Sequence, residues 1–156
     1  MRSPAELTVA FHDRGLRVTP QRQLLFRLLH GNESHPCAET LYHSAVELMP
    51  GLSLRTVYQT LNDLVSLGEI RSCDFGTGAA RFDPNVEDHH HLVCERCGSV
   101  RDVQLADPAL PEPDVTPDDF RVSRTDVVFR GVCAACAAGE AGNDHPSTTH
   151  HHHKEH

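Results

Sequence analysis

The chain has 156 residues, enough for one large domain or two small ones with a buried core. Its net charge of −8 argues weakly against a nucleic-acid partner. No apolar run approaches a membrane span, and Met1-Arg2-Ser3-Pro4-Ala5-Glu6 lacks the apolar stretch of a secretory signal, so a cytoplasmic protein without a membrane partner is expected. The acidic excess falls almost wholly after residue 86, which leaves the first half near neutrality and able to present a basic face. Every basic residue except Lys154 is arginine, the better bidentate donor to phosphate and guanine.

In chain order, residues 5–13 are a short helix. Thr19-Pro20 starts a second, with Thr as N-cap and Pro at the first helical position. Leu24, Leu25, Leu28 and Leu29 share one face of it, and Gly31-Asn32 ends it. A third helix is predicted over 37–49, with Leu41, Ala45 and Leu48 at i, i+4 and i+7 and Pro50-Gly51 stopping the run. Ser53 caps a fourth, with Val57, Leu61 and Leu64 on its apolar side. Two strands, 69–75 and 79–83, flank Gly76-Thr77-Gly78.

Helices followed by a two-stranded wing spell a winged helix-turn-helix over residues 1–86. Residues 87–138 read as a small, strand-rich α/β domain with strands over 89–94, 99–105 and 122–132, so the fold class is α+β. The intervening 106–118 holds four prolines and is expected to be a loop. Residues 139–156, rich in Gly, Ser, Thr and His, are expected to be a disordered tail.

Cys94-Glu-Arg-Cys97 and Cys133-Ala-Ala-Cys136 are two C-x-x-C units, and in a reducing compartment such pairs are metal ligands or redox centres more often than disulfides. Four thiolates make a closed tetrahedral zinc site, with Gly98 supplying the turn after the first pair. Cys37 and Cys73 stand apart and read as small apolar fillers.

Four sulfurs fill a zinc ion, so the adjacent His89-His90-His91 must serve something else. His89 and His91 are two apart and share a strand face, whereas Cys94 is an odd number of residues from both and points the opposite way. With His35, Asp83 and Asp102 also available, a second site of imidazole and carboxylate ligands is expected, suited to Fe(II), Mn(II), Co(II), Ni(II) or zinc. Such a site exchanges metal more readily than four thiolates do.

On the fourth helix, Arg55, Tyr58, Gln59 and Asn62 form a polar face with few acids. Together with Arg17, Gln21 and Arg22 around the second helix start, which can meet a phosphate, it points to double-stranded DNA. An enzyme is not expected: four thiolates leave no open coordination position, and neither H-E-x-x-H nor the deaminase signature of H-x-E followed by P-C-x-x-C occurs.

Gly15-Leu-Arg-Val-Thr-Pro-Gln-Arg22, His35-Pro36, Leu54-Arg-Thr-Val-Tyr58, Ala80-Arg-Phe-Asp83, Asp88-His-His-His-Leu-Val-Cys94 and Gly131-Val-Cys133 together resemble the ferric uptake regulator superfamily, in the family's order, from about residue 10 to 137. The resemblance implies a dimeric, metal-dependent transcriptional repressor, with an N-terminal winged helix and a C-terminal α/β dimerisation domain, acting on a pseudopalindromic operator. Within the superfamily the chain is most similar to the peroxide-sensing branch. That likeness implies a regulatory Fe2+ or Mn2+ held by His35, Asp83, His89, His91 and Asp102, and a structural Zn2+ on Cys94, Cys97, Cys133 and Cys136. Asp102, where iron and zinc sensors usually carry Glu, matches this branch.

The resemblance also brings Thr56 into the DNA-facing set. Loss of metal would follow oxidation of His35 or His89 by peroxide. The proline-rich 106–118 replaces the family's usual helix and resembles members that control catalase genes. The alternative is a plain sensor of iron, zinc, nickel or manganese availability.

Overall fold

The computed structural model describes residues 1–107, 109–114 and 116–141. Four helices come first: α1 (Pro4–Asp13), α2 (Pro20–Leu29), α3 (Ala38–Leu48) and α4 (Leu54–Ser66). A hairpin follows, β1 (Arg71–Cys73) against β2 (Arg81–Asp83). Then come β3 (His90–Cys94), β4 (Val100–Val103), β5 (Val128–Gly131) and helix α5 (Ala134–Ala141). The fold is α+β, a winged helix-turn-helix followed by a small mixed sheet.

Each of the first four helices starts where a side chain takes up a free backbone N–H. Ser3 and Glu6 form a capping box at α1, Thr19 Oγ1 accepts from the N–H of Arg22 at 3.2 Å, and Ser53 Oγ accepts from Thr56 at 3.1 Å. Cys37 does the same for α3, its Sγ accepting from Thr40 at 3.5 Å. It is therefore a half-exposed helix cap and not the apolar filler its surroundings suggested.

The helices bury one continuous core: Leu7 and Phe11 from α1, Leu24, Leu25, Phe26 and Leu29 from α2, Leu41 and Ala45 from α3, and Val57, Leu61 and Leu64 from α4. Phe11 and Phe26 meet edge to face at 4.8 Å. Burying each such side chain contributes about 1.5–3 kcal/mol, so this unit has ample means to hold itself together. Leu48, spaced to share a face with Leu41 and Ala45, is 67% exposed at the last position of α3, while Met49 after it packs against the core.

The sheet is a different case. Its order is β4-β3-β5, with β3–β4 antiparallel and β3–β5 parallel. A parallel pair needs a long crossover, and residues 104–127 supply it without helix or strand among the described residues. The strand expected over 122–132 is four residues long, Val128–Gly131. Buried apolar packing here reduces to Phe75, Val93 and Val100, flanked by Cys73 and Val128. Helix α5 runs through Ala141, past the point where a disordered tail was expected, and residues 142–156, with the His-rich run, lie outside the described residues. Among the described residues, no helix is long and apolar enough to cross a membrane.

Candidate metal centres and the exposed face of helix α4

The cross-strand register of the sheet assembles the first cluster. His91 on β3 lies directly opposite Asp102 on β4, so their side chains share a face. His89 precedes β3 by one residue and joins them. Asp83 arrives from the last position of β2, and His35 from the turn before α3. One donor atom from each of the five lies within 4.8 Å of all the others.

The three imidazoles converge through Nε2. His89 Nε2 is 2.7 Å from Asp83 Oδ2, 3.3 Å from Asp102 Oδ1 and 3.0 Å from His91 Nε2. His91 Nε2 is 3.2 Å from Asp83 Oδ2, and His35 Nε2 is 2.8 Å from Asp102 Oδ1. For metal–donor bonds of about 2.1 Å, donors at right angles stand about 3.0 Å apart and those at 120° about 3.6 Å. The spacing fits one shared cation.

Three further features fit it. His35 Nε2 is buried beside two carboxylates yet makes no aligned hydrogen bond, as expected of an atom aimed at a common centre. His89 Nδ1 lies 2.7 Å from the carbonyl of Glu87, which can only accept, so the proton sits on Nδ1 and Nε2 keeps its lone pair. His35 holds φ at +49°, a left-handed conformation that a non-glycine residue keeps only where its surroundings impose it.

The electrostatics agree. Burial pushes the Asp83 carboxyl up, but contact with the His35 ring and the Asn85 N–H outweighs it and holds the group well below the usual carboxylate range. Burial pushes the His91 imidazole down, which favours the neutral, ligating form. Burial also opposes charge on His35, but the Asp83 and Asp102 carboxylates overcome it and raise that ring. Asp102 is the one exposed member of the set and, with Asp83, borders an open cleft of about 300 Å³ lined also by Asn32, Glu33 and Asn85.

The second cluster closes at the other end of β3. Cys94, Cys97, Cys133 and Cys136 present sulfurs within 4.8 Å of one another, and Cys97 Sγ is 3.8 Å from Cys133 Sγ. That is far beyond a disulfide bond of about 2.05 Å. It is close to the separation of about 3.8 Å set by tetrahedral zinc–sulfur bonds of about 2.3 Å. The backbone N–H groups of Cys97 and Cys133 lower the Cys94 thiol to about 6, so it is readily a thiolate. Gly98 closes the first turn at φ +69°, its N–H bonded to the Cys94 carbonyl at 2.9 Å. The alternation read from sequence holds: His91 feeds one cluster and Cys94 the other.

The residues expected to face DNA divide into two groups. Arg17, Arg55, Tyr58, Gln59 and Asn62 are exposed, and Gln21 and Thr56 are half-exposed. Arg22 turns inward instead: it pairs with Asp63 at 2.8 Å and lies over the Phe11 ring at 5.4 Å, locking α2 to α4 and α1. The Tyr58 hydroxyl donates to Glu39 Oε1 at 2.6 Å, a contact across 19 residues that helical periodicity does not show. Ser99, which accepts from the Cys97 thiol at 3.3 Å, and the Glu87 carbonyl behind His89 were likewise invisible as single residues in the sequence.

Fold and clusters together define a winged-helix protein with two sets of converged metal-type ligands. The profile described as the ferric uptake regulator family matches residues 13–127, and the chain belongs to that family. It is 33% identical over 141 residues to a protein of Staphylococcus epidermidis named peroxide-responsive repressor PerR, covering 88% of this chain and 91% of that one. A Staphylococcus aureus protein of the same name is 32% identical over 134 residues, covering 84% and 89%. Among solved structures, a zinc-bound manganese uptake regulator superposes with a TM-score of 0.64 at 27% identity, over 85% of this chain and 99% of that one. The Helicobacter pylori ferric uptake regulator gives 0.67 at 19% identity over 85% and 90%, a likeness of fold.

Proposed function

We propose that the chain is a homodimeric, metal-dependent repressor that binds a pseudopalindromic double-stranded DNA operator and releases it in response to peroxide. Residues 1–86 act as the DNA-binding unit and 87–138 as the dimerisation unit. The observation that carries this reading is the five-donor cluster, because its members come from both sides of that boundary. His35 and Asp83 belong to the first unit; His89, His91 and Asp102 belong to the second. Sharing one Fe2+ or Mn2+ between the two sets fixes the orientation of α4 against the sheet, and a differential affinity for that orientation is what couples ligand to DNA binding.

Cys94, Cys97, Cys133 and Cys136 hold Zn2+ as a structural staple. Arg17, Gln21, Arg55, Thr56, Tyr58, Gln59 and Asn62 form the DNA-facing surface. Arg22 supports it from within, by joining the two helices that carry it.

Fe2+ supplies the one-electron reduction of peroxide when bound, a chemistry Mn2+ does not share. His35 and His89, two of the residues that would hold the ion, are buried, and the Asp102 side opens to the cleft. In net terms one peroxide oxygen would enter a ring C–H as C–OH and the other would leave as water, both electrons coming from the ring and the ion ending as Fe2+, and the altered ring would ligate poorly. Similarity to the peroxide-responsive staphylococcal relatives supports this signal over metal availability alone.

The test uses full-length, untagged protein loaded with Fe(II) and treated with low peroxide. We expect one added oxygen atom on His35 or His89 in digested protein, with loss of operator binding, and no change in the Mn(II)-loaded form. Unmodified histidines together with retained operator binding by the Fe(II) form would replace this reading with a plain metal sensor.

A further inference from the structure

The two clusters are bridged by one guanidinium. Arg81 lies on β2, two residues before Asp83, so both side chains leave the same face of the strand. Its Nη2 donates to the carbonyl of Gly98 at 2.9 Å, and its Nη1 to the carbonyl of His35 at 3.3 Å. Gly98 is the residue that closes the Cys94–Cys97 turn. His35 is a member of the five-donor cluster. Arg81 thus spans the cysteine turn and a ligand of the other site with two bonds from one planar group.

Both carbonyls it grips belong to residues with constrained backbones. His35 keeps a left-handed φ of +49° and Gly98 one of +69°. Beside His35, the Phe82 N–H, from the residue next to Arg81, donates to the Pro36 carbonyl at 2.9 Å. A Cβ built on Gly98 would stand 3.4 Å from Arg81 Nη2, so the guanidinium is packed against the turn as well as bonded to it. The Arg81 Nε is buried with no partner, a cost the protein tolerates only where the rest of the group is held in place.

We infer that Arg81 is a positioning residue that couples the two metal sites: the closed cysteine turn holds Gly98, Gly98 holds Arg81, and Arg81 holds the His35 turn in its ligating conformation. The inference rests on the proposed role of the five donors as a cation site. Because coupling is reciprocal, an intact cysteine site raises affinity at the His/Asp site. Lysine cannot replace Arg81, since one ammonium on a flexible stem does not span two fixed carbonyls.

The experiment titrates Mn(II), a probe that leaves the histidines unoxidised, into full-length wild type, Arg81→Met, Gly98→Ala and the double variant. Zinc content and dimer state are measured alongside. Loss of a geometry-fixing hydrogen-bonded contact predicts about tenfold weaker Mn(II) binding in Arg81→Met, with zinc and dimer retained. Gly98→Ala should also weaken Mn(II) binding while Arg81 is present, and have no further effect once Arg81 is Met. That non-additivity is the readout a merely structural role would not give.

Wild-type Mn(II) affinity in Arg81→Met, or fully additive effects in the double variant, overturns the inference and leaves the site reading intact. No saturable Mn(II) binding to wild type overturns the site reading and the inference with it. Should Arg81→Met lose zinc, Arg81→Lys takes its place, and unchanged Mn(II) affinity in a zinc-retaining Arg81→Lys is equally fatal.

Discussion

The four cysteines come from two short segments, the end of β3 with its turn and the start of α5, whereas the five nitrogen and oxygen donors come from four segments on both sides of residue 86. The cysteine set partly faces solvent and needs only two tight turns to form. The histidine–aspartate set is buried except at Asp102 and exists only when β2, β3, β4 and the His35 turn are all in place. A cluster gathered locally can staple a weakly packed unit. A cluster gathered across two units reports, and on our reading controls, how those units sit. The clusters touch the same strand, so the difference lies in where their other ligands come from.

The sharpest way to break this comparison is to remove a sulfur. Cys97→Ser should lose tightly bound zinc and the dimer, because a structural zinc contributes on the order of 10 kcal/mol to folding and the apolar cluster around the sheet, among the described residues, is the small set Phe75, Val93 and Val100. Metal analysis with size-exclusion chromatography decides it, and a stable zinc-free dimer would end the staple assignment. The helical unit, with its own core, should keep its far-UV helical signal in the same variant.

His91→Ala is the matching cut at the other cluster. It should keep one zinc per chain and the fold, yet lose the whole metal-dependent gain in operator affinity, a coupling of about 5–150-fold. Gel-shift titrations with and without Mn(II) measure this. A metal response that survives His91→Ala would mean that the five donors do not control orientation.

Smaller effects sharpen the picture away from the metals. Tyr58→Ala should weaken specific DNA binding by about 1–3 kcal/mol, the range of one good base contact, and leave both metals in place. Its hydroxyl is already bonded to Glu39, so equal operator affinity in the variant would show that this contact only joins α3 to α4. The least effect belongs to the thiol outside both clusters. Cys37→Ser should bind zinc and Mn(II) as wild type does and change stability by less than about 1 kcal/mol, since serine is itself a good N-cap. Thermal unfolding and metal stoichiometry check it.

Local signals were legible because their physics is local. Thr19-Pro20 and Ser53 cap helices through bonds to residues three positions on, so they needed no distant partner to be read. The C-x-x-C pairs carry their own turn chemistry, and strand alternation alone separated His89 and His91 from Cys94. The polar face of α4 follows from a 3.6-residue period. These features established a winged helix, a four-sulfur site and a second, mixed-ligand site from the order of residues alone.

What the tertiary structure decided are the facts that depend on which segment packs against which. Periodicity says that a residue faces inward but not what it meets, so Arg22 could be read as a phosphate ligand while Asp63 and Phe11 draw it into the helical unit. Leu48 has the right spacing for burial and lies beyond the reach of the core. The β3–β4 register, which no local propensity encodes, set Asp102 opposite His91, and the packing of β2 and of the His35 turn brought Asp83 and His35 to them. Arg81 carried no chemical signature of its own. Its place between the two clusters arises because β2, one residue long on either side of Phe82, brings a guanidinium within reach of carbonyls 46 and 17 residues away.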